Sequence, residues 1–208
     1  RGAGGPPPAV RDAASRAARA DARPPGVPLD AELLRHHLGA TTIPPASLRR
    51  IALHEAGHAI AAHHLDPGSI RRIQVSGRAG EVDRTPPRAD MLLRDLEAEI
   101  VVLLAGRAAE DVILGAASNG AGGSAGSDLA RASALAAAIE HRFGLGHDGL
   151  LWTEAPLPGL SAPPELRARL RKRLDTAARP ARPLIRPHQG AVEALAAQRL
   201  GGFDSPTQ

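Results

Sequence analysis

His54 and His58 stand four residues apart with Glu55 beside the first, in the run His-Glu-Ala-Gly-His. On an α-helix that spacing puts two imidazoles on one face. Their nitrogens suit a zinc ion, and the neighbouring carboxylate can reach the position the ion leaves open. Such a set could hydrolyse a peptide bond, by polarising a water and supplying a base for its proton. The bland alternative is a polar stripe on a surface helix. Given this chain's composition, chance would place H-E-x-x-H in about 2 of 100 such sequences.

A catalytic zinc takes three protein ligands, so a third must come from downstream, and three sources offer themselves. His64 has the spacing of the H-E-x-x-H-x-x-G-x-x-H pattern, but Ala61 fills the glycine position. Six residues carry His64 about 120° around an unbroken helix from His58, and nothing between them breaks it. Glu97, Glu99 and Glu110 are candidates if the ligand is a glutamate of the following helix. Asp128 is the third, where a glycine and serine loop turns into a helix. An aspartate there serves equally well to cap the helix.

These residues must be held by the elements around them. Ser47 to Leu65 reads as a buried helix carrying Ile51, Leu53, Ile60 and a string of alanines. Asp66-Pro-Gly68 ends it. Ile70 to Ser76 and a second short run near Glu81-Val-Asp83 read as a β-hairpin. Leu92 to Leu114 form a long helix with Leu93, Leu96, Ile100, Leu103 and Leu104 on one face. Gly115 to Gly126 is a loop, and a helix from Ser127 to Phe143 is stopped by Gly144-Leu-Gly146. Pro163-Pro164 opens a basic helix from Glu165 to Ala178. Pro180, Pro183 and Pro187 then argue against one regular helix across 179–189. A last helix covers Gly190 to Leu200. Upstream, residues 1–9 read as disordered, and helices are expected over Val10 to Ala22 and over Leu29 to Leu38, the second capped by Asp30.

The fold class is therefore mainly α, packed helices with a small hairpin after the histidine helix. Composition agrees: 43% of residues are hydrophobic, yet there are two Phe, one Trp and no Tyr. The core must be aliphatic, which favours close-packed helices. No cysteine means no disulfide and no thiolate metal site. Apolar runs such as Ile100 to Ala105 fall well short of the roughly 20 residues that span a bilayer. The only lysine, Lys172, has no glycine near it, so the chain has no phosphate-binding P-loop. Arg167, Arg169, Arg171 and Arg173 read as a solvated face. They lack the aromatic partners of a nucleic-acid surface, and no nucleic acid is expected. His36, His37, His63, His141, His147 and His188 read as surface or hydrogen-bonded core residues.

Three segments together resemble the proteolytic domain of FtsH-type ATP-dependent zinc proteases. His54-Glu-Ala-Gly-His-Ala59 is similar to that family's zinc helix. Leu104-Ala-Gly-Arg-Ala-Ala-Glu-Asp-Val-Ile-Leu-Gly115 looks like its second signature, and Ser124-Ala-Gly-Ser-Asp-Leu-Ala-Arg-Ala132 like its Ser-Asn-Asp-Leu segment, with Ser127 in place of the asparagine. The resemblance implies zinc on His54, His58 and Asp128, Glu55 as the catalytic residue, and Glu110 orienting a ligand. It implies a zinc metallopeptidase domain over 43–203 with a short tail over 204–208. Residues 1–42 resemble, more weakly, the end of an AAA ATPase lid. Family members act on unfolded or threaded proteins as hexameric rings. The resemblance therefore implies a protein substrate, a homo-oligomer, an AAA ATPase upstream or in trans, and a place in the cytoplasm or on the cytoplasmic face of a membrane. The alternative is a non-catalytic relative that has kept the fold as an assembly or adaptor module.

Overall fold

The computed structural model describes residues 43–75, 80–86, 88–153 and 162–201. The expected upstream helices, the Asp30 cap, the lid-like segment and the tail lie outside these residues.

Helix α1 spans Pro45–Leu65. Pro45 occupies its first turn, where a missing N–H costs nothing. It ends as Asp66 leaves helical geometry and Gly68 turns the chain at φ +85°. The stretch from Ala52 to Ala59 is buried throughout, so α1 runs through the interior and packs against the hairpin and three later helices. Strands β1 (Ile70–Val75) and β2 (Gly80–Arg84) form the expected hairpin, antiparallel with Ile73 opposite Val82. A register shift between Ile70 and Arg72 inserts one residue. This bulge explains the loose alternation in sequence. It lets Ile70 and Ile73, three apart, both turn inward while Arg71 and Arg72 stay exposed.

Helix α2 spans Leu93–Leu114; the Asp95 carboxylate accepts the Leu92 N–H at 2.9 Å at its start, and Gly115 closes it in the left-handed region at φ +77°. A single apolar face was expected. Instead every residue from Ile100 to Gly106 is buried, because α1 and the later helices pack around α2. Helix α3 spans Asp128–His141, with Ser127 as its N-cap.

Helix α4 differs from expectation. It spans Pro164–Ile185 and passes through Pro180 and Pro183 before a 3-10 turn at Arg186–His188 leads into α5, Gln189–Gly201. Each proline forfeits one backbone hydrogen bond. The helix persists because Leu170, Ala177, Ala181 and Ile185 are buried on one side, and tertiary packing outweighs local propensity. Only at Pro187 does the regular helix give way.

The largest fully buried side chains are Leu53, Ile100, Ile139, Ile185, Glu110 and Val192. The aliphatic residues fit the composition, each contributing about 1.5–3 kcal/mol by burial. Glu110 does not fit. Burying a carboxylate costs several kcal/mol unless it is paired and hydrogen-bonded.

Close helix contact rests on two glycines. A Cβ at Gly57 would lie 2.6 Å from the Ala109 Cβ and 2.8 Å from the Ala105 carbonyl oxygen, so α1 and α2 touch backbone to backbone there. One at Gly106 would lie 2.5 Å from His58 Nε2 and 2.6 Å from His54 Nε2. The two imidazoles therefore rest on the bare backbone of α2.

Candidate metal centre

His54 and His58 project from the same face of α1, their rings 4.8 Å apart and edge to face. Each ring is oriented through Nδ1. His58 Nδ1 lies 2.8 Å from the Val102 carbonyl oxygen, which can only accept, so Nδ1 carries the proton and Nε2 presents a lone pair. His54 Nδ1 lies 2.7 Å from Glu110 Oε1, and the same tautomer follows.

Glu110 accounts for its own burial by this arrangement. Its Oε2 accepts from Arg50 Nη1 at 2.6 Å and from the Ser118 N–H at 2.8 Å. Burial pushes its carboxyl up, but the bonds from Arg50, Ser118 and His54 outweigh it and hold the group below the ordinary glutamate range. Arg50 also donates to the Ala116 carbonyl at 2.8 Å. One guanidinium thus ties α1 to the end of α2 and to the loop beyond.

Asp128 comes from the first turn of α3, positioned by the Ser127 cap. Ser127 Oγ accepts the Ala130 N–H and donates to the Ser124 carbonyl at 2.7 Å. Serine thus fills the capping role open to an asparagine at that position. Asp128 Oδ2 lies 3.1 Å from His54 Nε2 and 3.3 Å from His58 Nε2. Burial raises the Asp128 carboxyl, but its contacts with both imidazoles prevail and hold it far below the usual range. For His54, burial acts downward, and the Asp128 and Glu110 carboxylates with the Glu55 charge overcome it, so its pKa is raised.

Three electron-pair donors therefore converge, all within 4.8 Å of one another, with the ring protons pointing away. His58 Nε2 is buried without a hydrogen-bond donor of its own to satisfy it. Such a group of lone pairs is complementary to a cation. Tetrahedral zinc with bonds of about 2.0–2.1 Å needs ligand atoms about 3.3 Å apart, close to both aspartate contacts. The donor set fits the metal.

Among the described residues this is the group of three that could hold a metal; Glu110 sits behind His54, and the other candidates are engaged elsewhere. The His64 ring packs on His188, 4.3 Å away. Glu97 pairs with Arg173 at 2.7 Å, and Glu99 with Arg84 at 2.7 Å. Glu55 is buried on α1 and lines the cleft with the histidines. That cleft, about 1100 Å³, runs from Ser118 and Asp128 past the histidines to the hairpin. Its hairpin wall is β2, through Val82, Asp83, Arg84 and Thr85. Arg84 fixes that wall to α2 through both Glu99 oxygens, at 2.9 and 2.7 Å.

Sequence reasoning missed Arg50, the Val102 carbonyl and the role of Gly106. Arg50 carried a signal, since residues 50, 54 and 58 share one helix face. The carbonyl carried none. The arginines of α4 also differ from a uniformly solvated face. Arg173 donates to Glu140 at 2.6 Å and Arg169 to Asp148 at 2.9 Å, so two of the four are structural.

Comparison with known proteins places the chain in a family. The chain is 41% identical over 111 residues to the ATP-dependent zinc metalloprotease FtsH 2 of Symbiobacterium thermophilum, a match covering 50% of this chain and 18% of that protein. It is 36% identical over 150 residues to the ATP-dependent zinc metalloprotease FtsH 1 of Sorangium cellulosum, covering 65% of this chain and 23% of that one. The chain thus spans about a fifth of the length of these relatives. Residues 41–155, which carry α1, the hairpin, α2 and α3, match the family model of peptidase family M41. That match takes in more than half of the 208 residues, and the chain belongs to peptidase family M41, as an FtsH-type peptidase domain.

Proposed function

We propose that this chain is a zinc metalloendopeptidase that hydrolyses peptide bonds of extended, unfolded segments. The observation that carries the reading is the convergence of His54 Nε2, His58 Nε2 and Asp128 Oδ2, each presenting a lone pair, with Glu55 beside the first histidine. These three residues would hold the metal. When bound, zinc supplies a Lewis acid that polarises the scissile carbonyl and lowers the pKa of water toward neutrality.

The chain's own groups do the rest. Glu110 and the Val102 carbonyl keep the Nδ1 protons in place, so that both Nε2 atoms stay unprotonated toward the centre. Glu55 takes a proton from the attacking water and delivers it to the departing amine nitrogen, acting as base and then as acid. An extended substrate lies along the cleft against the hairpin. Of the two strands, β2 is the one that lines the cleft, and backbone pairing along it gives affinity without strict sequence preference.

The relatives are named as ATP-dependent, and an ATPase ring, in the same polypeptide or in trans, would deliver threaded protein to a homo-oligomer of this domain. No helix among the described residues is long and apolar enough to cross a membrane. The prolines of α4 do not mark a decayed scaffold, since the helix continues through them with Ala181 and Ile185 buried.

The test is Glu55→Gln with zinc content measured alongside cleavage of an unfolded peptide. Zinc retained and cleavage reduced by at least about 100-fold is expected. Equal cleavage by wild type and variant would overturn the role of Glu55, and a zinc-loaded wild type that cleaves nothing would favour the adaptor.

A further inference from the structure

Peptide hydrolysis places negative charge on the substrate carbonyl oxygen, and a donor poised at that oxygen commonly contributes a large part of the rate. Which side chain of this cleft supplies it can be decided from what each one already does. The chain has no tyrosine. Among the remaining histidines, His63 and His64 lie beside one another, with His64 on His188, and His141 ends α3 at the opposite end from Asp128.

Ser127 Oγ donates to the Ser124 carbonyl, while Ser69 Oγ and Ser118 Oγ accept from Arg84 and the Gly120 N–H; a neutral hydroxyl is in any case a weaker partner for a forming anion than a cationic donor. Four arginines line the cleft. Arg50 is bound to Glu110 and Ala116, and Arg84 to Glu99 and Asp66. Arg88, in the segment before α2, stands 3.9 Å from Asp90 and 3.7 Å from Asp95. Arg131 is the fourth. It lies one turn after Asp128 on α3 with its side chain 58% exposed, its nearest carboxylate contact being Asp128 Oδ1 at 4.0 Å. The guanidinium thus lies beside Asp128, itself one of the three converging donors, and no hydrogen bond holds it among the described residues.

We propose that Arg131 is a catalytic residue that donates a hydrogen bond to the substrate carbonyl oxygen as that oxygen becomes negative. This deepens the hydrolytic reading above and rests on it. The bond changes are those of amide hydrolysis: the water oxygen bonds to the carbonyl carbon, the C–N bond breaks, and the proton passes from water through Glu55 to the amine. Arg131 neither gives nor takes a proton. Its planar fork and permanent charge suit an anion that exists only in transit. The 4.0 Å separation from Asp128 leaves it free to swing toward substrate.

The experiment compares zinc-loaded wild type with Arg131→Ala, Arg131→Gln and Arg131→Lys. Three quantities are read: zinc affinity by chelator competition, kcat and KM on an unstructured peptide, and inhibition by a phosphinic peptide of matching sequence, whose tetrahedral anion mimics the charged state. The expected result for Arg131→Ala is unchanged zinc affinity, KM within about twofold, kcat lowered by about 30- to 100-fold, and phosphinate affinity lowered by the same factor. Lysine should recover part of both losses and glutamine less. Unchanged phosphinate affinity in the alanine variant overturns the proposal. So does zinc loss in step with kcat, which would mean that Arg131 only positions Asp128. A wild type that holds zinc and cleaves nothing counts against the hydrolytic reading, and the phosphinate comparison still decides whether Arg131 meets the anion.

Discussion

Replacing Gly106 with alanine should empty the metal centre while leaving the fold intact. The added Cβ would stand 2.5 Å from His58 Nε2 and 2.6 Å from both Cδ2 and Nε2 of His54, where ordinary contact begins at 3.4 Å. Each ring must retreat by about 0.8–0.9 Å to restore contact distance. Metal–ligand distances tolerate only about 0.2 Å. Neither ring can give way freely, because Nδ1 of each is held by a buried bond of 2.7 or 2.8 Å. Zinc affinity should therefore fall by at least about 100-fold, or about 2.8 kcal/mol. The stability of the zinc-free protein should change far less. Alanine in place of an interior helical glycine is worth about 1 kcal/mol of helix propensity, set against about 1–3 kcal/mol for overpacking. The assay is chelator competition on protein stripped of metal, with circular dichroism to establish that the variant is folded. A folded variant with wild-type zinc affinity would refute the view that the imidazoles rest on α2.

Gly57→Ala should show the opposite pattern. Its Cβ meets the Ala109 Cβ and the Ala105 backbone, neither of which can rotate away, so thermal unfolding should show a loss of about 1–3 kcal/mol. Arg50→Ala leaves the buried Glu110 without its arginine contact and should lower zinc affinity by about 10- to 100-fold. Lysine should restore part of this in the same titration, and an alanine variant with unaltered affinity would contradict the relay. Glu140 is buried, and against the upward push of that burial the His147 N–H and Arg173 hold its carboxyl below the ordinary glutamate range. A carboxylate depressed on folding contributes stability that is present above its unfolded pKa and lost as pH falls through the folded one. Acid unfolding followed by circular dichroism should therefore be less steep below about pH 4.5 in Glu140→Gln. That variant should also be less stable at neutral pH by about 1–3 kcal/mol, from the weakened Arg173 contact.

Local spacing made much of this protein legible. Two histidines on one helical run were legible as two of the three ligands of a candidate metal site, because an α-helix brings residues four apart together without help from the rest of the chain. The hairpin and the extent of α2 followed from alternation and helical periodicity among neighbouring residues. The third metal-binding candidate was of another kind. Asp128 lies 74 residues from His54, and local sequence left it level with His64 and three glutamates until the resemblance favoured it. Folding alone put the carboxylate at the imidazoles.

Tertiary structure also decided what orients them. Glu110 meets His54 across 56 residues and the Val102 carbonyl meets His58 across 44, and a backbone oxygen has no residue type to announce it. The same holds for Gly57 and Gly106, whose lack of side chains matters only because another helix crosses there. In α4, burial of Ala177, Ala181 and Ile185 carried the helix past two prolines. A helix face is written in the order of its residues, but the partner that covers it is set by packing between segments distant in the chain.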